Sequence, residues 1–127
     1  MNVEPTPDFG QEAPSFVGRV IGFADTQAQC DAIVEALEES GIAEEQIAIL
    51  AGEDGIHILN RTLKEFFFSD GEDQSLIMGL EELRRGHFVV EVEVDNRRQA
   101  VDVANTSAPH GGRTFTYFGS LMNEQLT

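Results

Sequence analysis

Residues 81–95 read EELRRGHFVVEVEVD, and this stretch decides the fold. Phe88, Val90, Val92 and Val94 alternate with Val89, Glu91, Glu93 and Asp95. A period of two is a β-strand, here with one apolar face and one that turns acidic. A helix runs in from Gln74 and stops at Gly86, and another leaves at Asn96. Phe88 to Val94 is therefore expected as a central strand with helices attached at both ends. Glu91 and Glu93 fall on its acidic face and are expected to face water.

Upstream, SFVGRVIGFA (Ser15 to Ala24) reads as an interior strand, since both faces carry apolar groups. Gly18 and Gly22 share one face, which suits close helix packing. Thr26 opens a helix as the cap of a Thr-Gln-Ala-Gln box, and Gly41 ends it. Cys30, Ile33, Val34 and Leu37 form its apolar stripe, which makes Cys30 a buried hydrophobe and not a nucleophile. QIAILA (Gln46 to Ala51) is a second strand, and Gly52-Glu53-Asp54-Gly55 reads as a solvated turn. Ile56 to Phe68 and Asp73 to Arg85 read as helices. Phe66, Phe67 and Phe68 are consecutive, too many rings for one helical stripe, so one is expected to face a partner or a second core.

Downstream, Asn96 caps a helix whose inner face is Ala100, Val101, Ala104 and Ala108. Pro109 and the Gly111-Gly112 pair end it. RTFTYFG (Arg113 to Gly119) is the last strand, with Phe115 and Tyr117 on one face and Thr114, Thr116 and Phe118 on the other. Without the 56–85 segment the order is strand, helix, strand, strand, helix, strand. That is an α+β fold, the ferredoxin-like split β-α-β arrangement: a four-stranded antiparallel sheet, two crossover helices on one face and a helical insertion. VIGFADTQAQCDAIVEAL and VVEVEVDNRRQAVDVANT echo each other as two strand–Asp–cap–helix units. The chain divides into an acidic flexible leader (1–14), one domain (15–119, with 56–85 inserted) and a tail (120–127).

The 127 residues carry 23 acidic against 8 basic side chains, a net charge of −15. Such a surface repels a phosphate backbone, so nucleic acid is not an expected partner. No apolar run approaches the roughly 18 residues of a membrane helix, and MNVEPTPDFGQEAPS lacks the basic and apolar regions of a signal peptide. One cysteine allows no internal disulfide. The cytoplasm is the expected compartment.

VIGFADTQAQCDAIVEALEESGIAEEQIAILAGEDG resembles the opening half of the small bacterial general stress protein domain, the heat-induced stress protein group. The shared pattern is an apolar strand, a short polar cap, an alanine-rich helix ending in Gly and an acidic turn into an Ile/Val strand. EELRRGHFVVEVEVDNRRQAVDVANTSAPHGG is similar to its second half, a glutamate-rich helix ending at Arg-Gly before a Val-rich strand. Two features depart from the pattern: the aromatic insert at Phe66 to Phe68 and the polar end of the last helix at Asn105-Thr106-Ser107. The resemblance implies an accessory or stress-linked protein without a catalytic signature.

His57, His87 and His110 are scattered, with no metal-helix spacing, so neither a metal nor a cofactor is expected. Nor is an enzyme. The expected role is that of a non-enzymatic stress-associated or regulatory protein acting through oligomerisation or a protein partner. The alternative is a small-molecule-binding regulatory domain, its ligand at a dimer interface or beside the inserted helices, with Phe66, Phe67, His87 and Tyr117 as contacts. A third reading is an enzyme of the dimeric ferredoxin-like barrel type, with His87, Tyr117 or His110 in its pocket. Phe16, Phe23, Phe115, Tyr117 and Phe118 put large apolar groups on both sides of the outer strands. Helices cover one face only in a ferredoxin-like sheet, so a homodimer through the open face is expected unless the inserted helices cover it.

Overall fold

The computed structural model describes residues 18–65, 73–119 and 123–126. The fold is α+β. Strands β1 (Arg19–Ala24), β2 (Ile47–Leu50), β3 (Phe88–Glu93), β4 (Arg113–Phe118) and β5 (Asn123–Gln125) form one antiparallel sheet in the order β2-β3-β1-β4-β5. Helices α1 (Gln27–Glu39), α2 (Gly52–Glu65), α3 (Asp73–Arg84) and α4 (Arg97–Ser107) pack on it. Among the described residues no helix is long and apolar enough to cross a membrane.

The two sequence echoes fold alike at their strand–helix junctions. Thr26 Oγ1 accepts the Gln29 N–H at 3.1 Å, and Gln29 Oε1 accepts the Asp25 N–H at 2.7 Å. At the second junction Asn96 Oδ1 accepts the Gln99 N–H at 2.9 Å, and Gln99 Oε1 accepts the Asp95 N–H at 2.8 Å. Each glutamine reaches one residue further back than a capping box requires, and so ties the residue before the cap to the first helical turn.

Period-two alternation divides the sheet residues between two cores. Val20, Ala24, Val90, Val92 and Phe115 meet Cys30, Ile33 and Leu37 of α1 and Ala100, Val103 and Ala104 of α4. On the opposite face Ile21, Phe23, Val89 and Phe118 meet Leu59 of α2 and Leu76, Leu80 and Leu83 of α3. Helices α2 and α3 therefore form a layer covering the face that a second copy was expected to cover. Helices lie on both faces, not one.

Other expectations are corrected. The sheet has five strands and not four, because residues 123–125 of the expected tail pair with β4. Three residues are too few to show a period of two, and this strand exists only through its neighbour. Gly52-Glu53-Asp54-Gly55 is not a turn but the start of α2, where Glu53 and Asp54 suit the positive helix end. Gly55 is buried there, and a Cβ on it would stand 3.1 Å from Leu50 Cβ and 3.3 Å from Leu83 Cδ1. The inner face of α4 is Ala100, Val103, Ala104 and Ser107; Ala108 is exposed and Val101 only half-buried. Glu91 does not face water. It is buried and receives Arg19 Nη1 at 2.9 Å, while Glu93 is exposed.

Gly22 serves a neighbouring strand and not a helix. A Cβ on Gly22 would lie 2.3 Å from Cε1 of Phe115, so the ring occupies the space a side chain would take. Pairing between β1 and β4 slips at this point: Ile21 faces Thr116, yet Phe23 faces Arg113. Thr114 and Phe115 together therefore oppose Gly22, which makes a β-bulge, and Thr114 takes φ +56°.

Candidate functional site

The bulge decides where Arg113 goes. In an unbroken strand Arg113 would share a face with Phe115 and Tyr117. The extra residue turns it to the other face, opposite Phe23, and its guanidinium carbon stands 5.9 Å from the Phe23 ring centre. Thr114 accommodates this in a left-handed conformation that a β-branched residue rarely adopts.

A helix end delivers the partners. Gly86 takes φ +86° and ends α3, with the Gly86 N–H on Leu83 O at 3.0 Å and the His87 N–H on Glu82 O at 2.9 Å. This turn brings the His87 ring back over the Glu82 side chain, with Nδ1 2.7 Å from Oε1. Arg113 grips the same carboxylate twice, Nη1 to Oε2 at 3.2 Å and Nη2 to Oε1 at 2.6 Å. Its Nη2 also bonds Asp25 Oδ1, and its Nε donates to that oxygen at 3.2 Å. Asp25 follows β1, His87 precedes β3, Arg113 begins β4 and Glu82 lies in the last turn of α3. Four element ends meet in one ionic cluster.

The hydrogen bond from Arg113, helped by the one from His87, holds Glu82 below the usual carboxylate range against the opposing effect of burial. Arg113 is correspondingly raised, first through its bond to Glu82. A carboxylate facing His87 Nδ1 favours the tautomer with its proton on Nδ1, which leaves the Nε2 lone pair as a proton acceptor. The His87 side chain is 29% exposed. Asp25, Glu82 and His87 also place one ligand atom each within 4.8 Å of the others. A cation there would have to displace a guanidinium already bonded to both carboxylates, and the donor set fits Arg113 better than a metal.

Of the residues expected to hold a ligand, His87 belongs to this cluster. Tyr117 does not: it lies on the opposite face, half-buried against the α1–α4 core, four strand residues or about 13 Å from Arg113. His57 and His110 are exposed. Phe66 and Phe67, with Phe68, lie outside the described residues, as do the leader and Phe16. A separate groove of about 320 Å³ runs between the end of α1 and α4, lined by Ser40, Ile42, Gln99, Asp102, Val103, Asn105 and Thr106. It shares no residue with the cluster. The sequence does not mark Asp25, Glu82 and Arg113 as a site, because ordinary acid and base types at the ends of elements carry no local pattern. The one available signal was Arg-Gly-His after a glutamate-rich helix.

No family model, no curated protein and no solved structure matches the chain.

Proposed function

We propose that this chain is a non-enzymatic binding domain, of the stress-associated or regulatory kind its sequence resembles, that acts through a positively charged protein partner. One observation carries the reading. Between Arg19 and Arg61 there is no lysine or arginine, while Asp25, Asp31, Glu35, Glu38, Glu39, Glu44, Glu45, Glu53 and Asp54 are all exposed. Among the described residues, Asp25 alone of these is paired with a cation, through Arg113. The exposed carboxylates of α1, of the segment before β2 and of the start of α2 steer a basic partner by complementarity and repel a copy of the chain. The ionic cluster supports the same reading, since its groups are engaged with one another and so serve to brace the scaffold.

The same proposal reads the fold as ferredoxin-like, with β5 and the α2–α3 layer as additions. The order β2-β3-β1-β4 supports this, as do the two β-α units with matching caps. It also keeps the cytoplasm as the compartment, in line with the single cysteine.

Site-specific photo-crosslinking in the native host tests the reading. A crosslinker at Glu39 or Glu45 is expected to capture a basic protein, lost when Glu35 and Glu38 are changed to Gln. Equal capture from Arg98, or a partner without basic character, would remove it. Light scattering at micromolar concentration separates a monomer of 14.0 kDa from a self-associating protein.

A further inference from the structure

β2 is an edge strand, and the hydrogen bonds around it show which of its backbone groups are spare. Val94 N–H bonds Gly18 O at 2.9 Å, so even-numbered residues of β3 turn their backbone groups toward β1. Glu93 O instead receives Gln46 Nε2 at 2.8 Å, so odd-numbered residues turn toward β2. In the register Ala48↔Glu91 and Leu50↔Val89, β2 commits Ala48 and Leu50 to β3. Ile47 and Ile49 therefore turn their backbone groups outward, away from β3. The Ile47 N–H is taken by Glu44 O and the carbonyl of Ala51 by the Gly55 N–H. The Ile47 carbonyl and both groups of Ile49 remain, a short ladder that one added strand can complete.

The charge around this edge selects the occupant. Glu44 and Glu45 precede β2, Glu53 and Asp54 follow it, and all four are exposed with no cation partner among the described residues. Two such edges brought together in a dimer would set like charges against each other, whereas a Lys/Arg-rich strand would meet opposite ones. We infer that the outer edge of β2 takes an extended Lys/Arg-rich protein segment as an added strand, hydrogen-bonded at Ile49 and Ile47. The inference rests on the partner-binding reading above and gives that partner a shape.

The test is a titration of the whole protein with a nine-residue peptide of alternating lysine and valine, beside a lysine–proline peptide of equal charge that cannot complete a ladder. Amide exchange is read at each residue. The Lys-Val peptide is expected to slow exchange of the Ile49 amide at least tenfold, with no such effect from the Lys-Pro peptide. Ile49→Pro, which removes an outward N–H and leaves the β3 ladder intact, is expected to weaken Lys-Val binding at least tenfold. Should that variant misfold, the exchange data on the unmodified protein decide. Equal binding of both peptides without protection at Ile49 overturns the added strand and leaves the acidic-surface reading standing. Binding of neither at low salt overturns both. Protection of Ile49 that rises with protein concentration alone would identify a second copy as the occupant and overturn the inference.

Discussion

Arg113, the first residue of β4, holds Glu82, in the last turn of α3, through two parallel hydrogen bonds of 2.6 and 3.2 Å. The pair joins a strand to the helical layer over its face, and His87 and Asp25 complete the junction. Glu82 is largely buried, so removing its charge leaves a guanidinium facing Asp25 alone. Glu82→Gln is expected to cost about 1.5 kcal/mol at neutral pH, the loss of charge-assisted hydrogen bonds whose guanidinium is partly screened by water. Because the folded chain holds Glu82 below its ordinary 4.5, the stability it supplies is present above that pH and is lost as pH falls through the lower folded value. Urea unfolding of parent and variant is expected to differ at pH 7 and to converge in acid. An undiminished gap in acid would assign the loss to packing.

Glu91 is predicted to behave in the opposite sense. Burial raises it above its ordinary 4.5, and the contact with Arg19 only partly offsets this. Its ionisation therefore costs folded-state stability as pH rises through the raised folded value, and below the ordinary value that cost is absent. Glu91→Gln keeps an acceptor for Arg19 and is expected to be more stable than the parent at pH 7. The advantage is expected to close as pH falls to 4.5 and below. A destabilised variant at pH 7 would show that the ion pair outweighs burial.

Gly22→Ala is expected to be among the most damaging small substitutions in the chain, costing about 3 kcal/mol or more through overpacking. The added methyl would stand 2.3 to 2.6 Å from three atoms of the Phe115 ring. Phe115→Leu in the same chain is expected to recover part of the loss. Thermal unfolding of the two single variants and the double variant measures that coupling, and strict additivity would separate the two residues.

Thr114 carries the strain of the bulge at φ +56°. Glycine adopts this conformation freely, so Thr114→Gly is expected to gain about 0.5 to 1 kcal/mol after the unfolded-state cost of glycine is subtracted. A loss in the thermal midpoint would instead show that the threonine side chain holds the bulge.

Cys30 is buried in α1, and burial, aided by Asp31, pushes its thiol up to about 11. At pH 8 almost no thiolate is present, so a disulfide reagent is expected to label the native protein far more slowly than the unfolded chain. Rapid, complete labelling of the native protein would contradict this.

Periodicity alone located the central strand, since Phe88 to Val94 alternates whatever surrounds it. The helix stripe of Cys30, Ile33 and Leu37 and the caps at Thr26 and Asn96 were legible for the same reason: each is a relation between residues within one turn or one pleat. Other features depended on residues distant in the chain. Glu91 sits on a strand face that reads as solvated, and only the fold and Arg19 make it a buried, paired carboxylate. The three residues of β5 acquire their conformation from β4. The helices of the 56–85 segment are evident as helices, but which face of the sheet they cover depends on where Leu59, Leu80 and Leu83 find Phe23 and Phe118. The ionic cluster is the clearest case. Asp25, Glu82, His87 and Arg113 are separated by up to 88 positions, and a one-residue bulge turns Arg113 to meet the others. Local pattern sets what each segment can become, while long-range pairing and burial decide which charges meet.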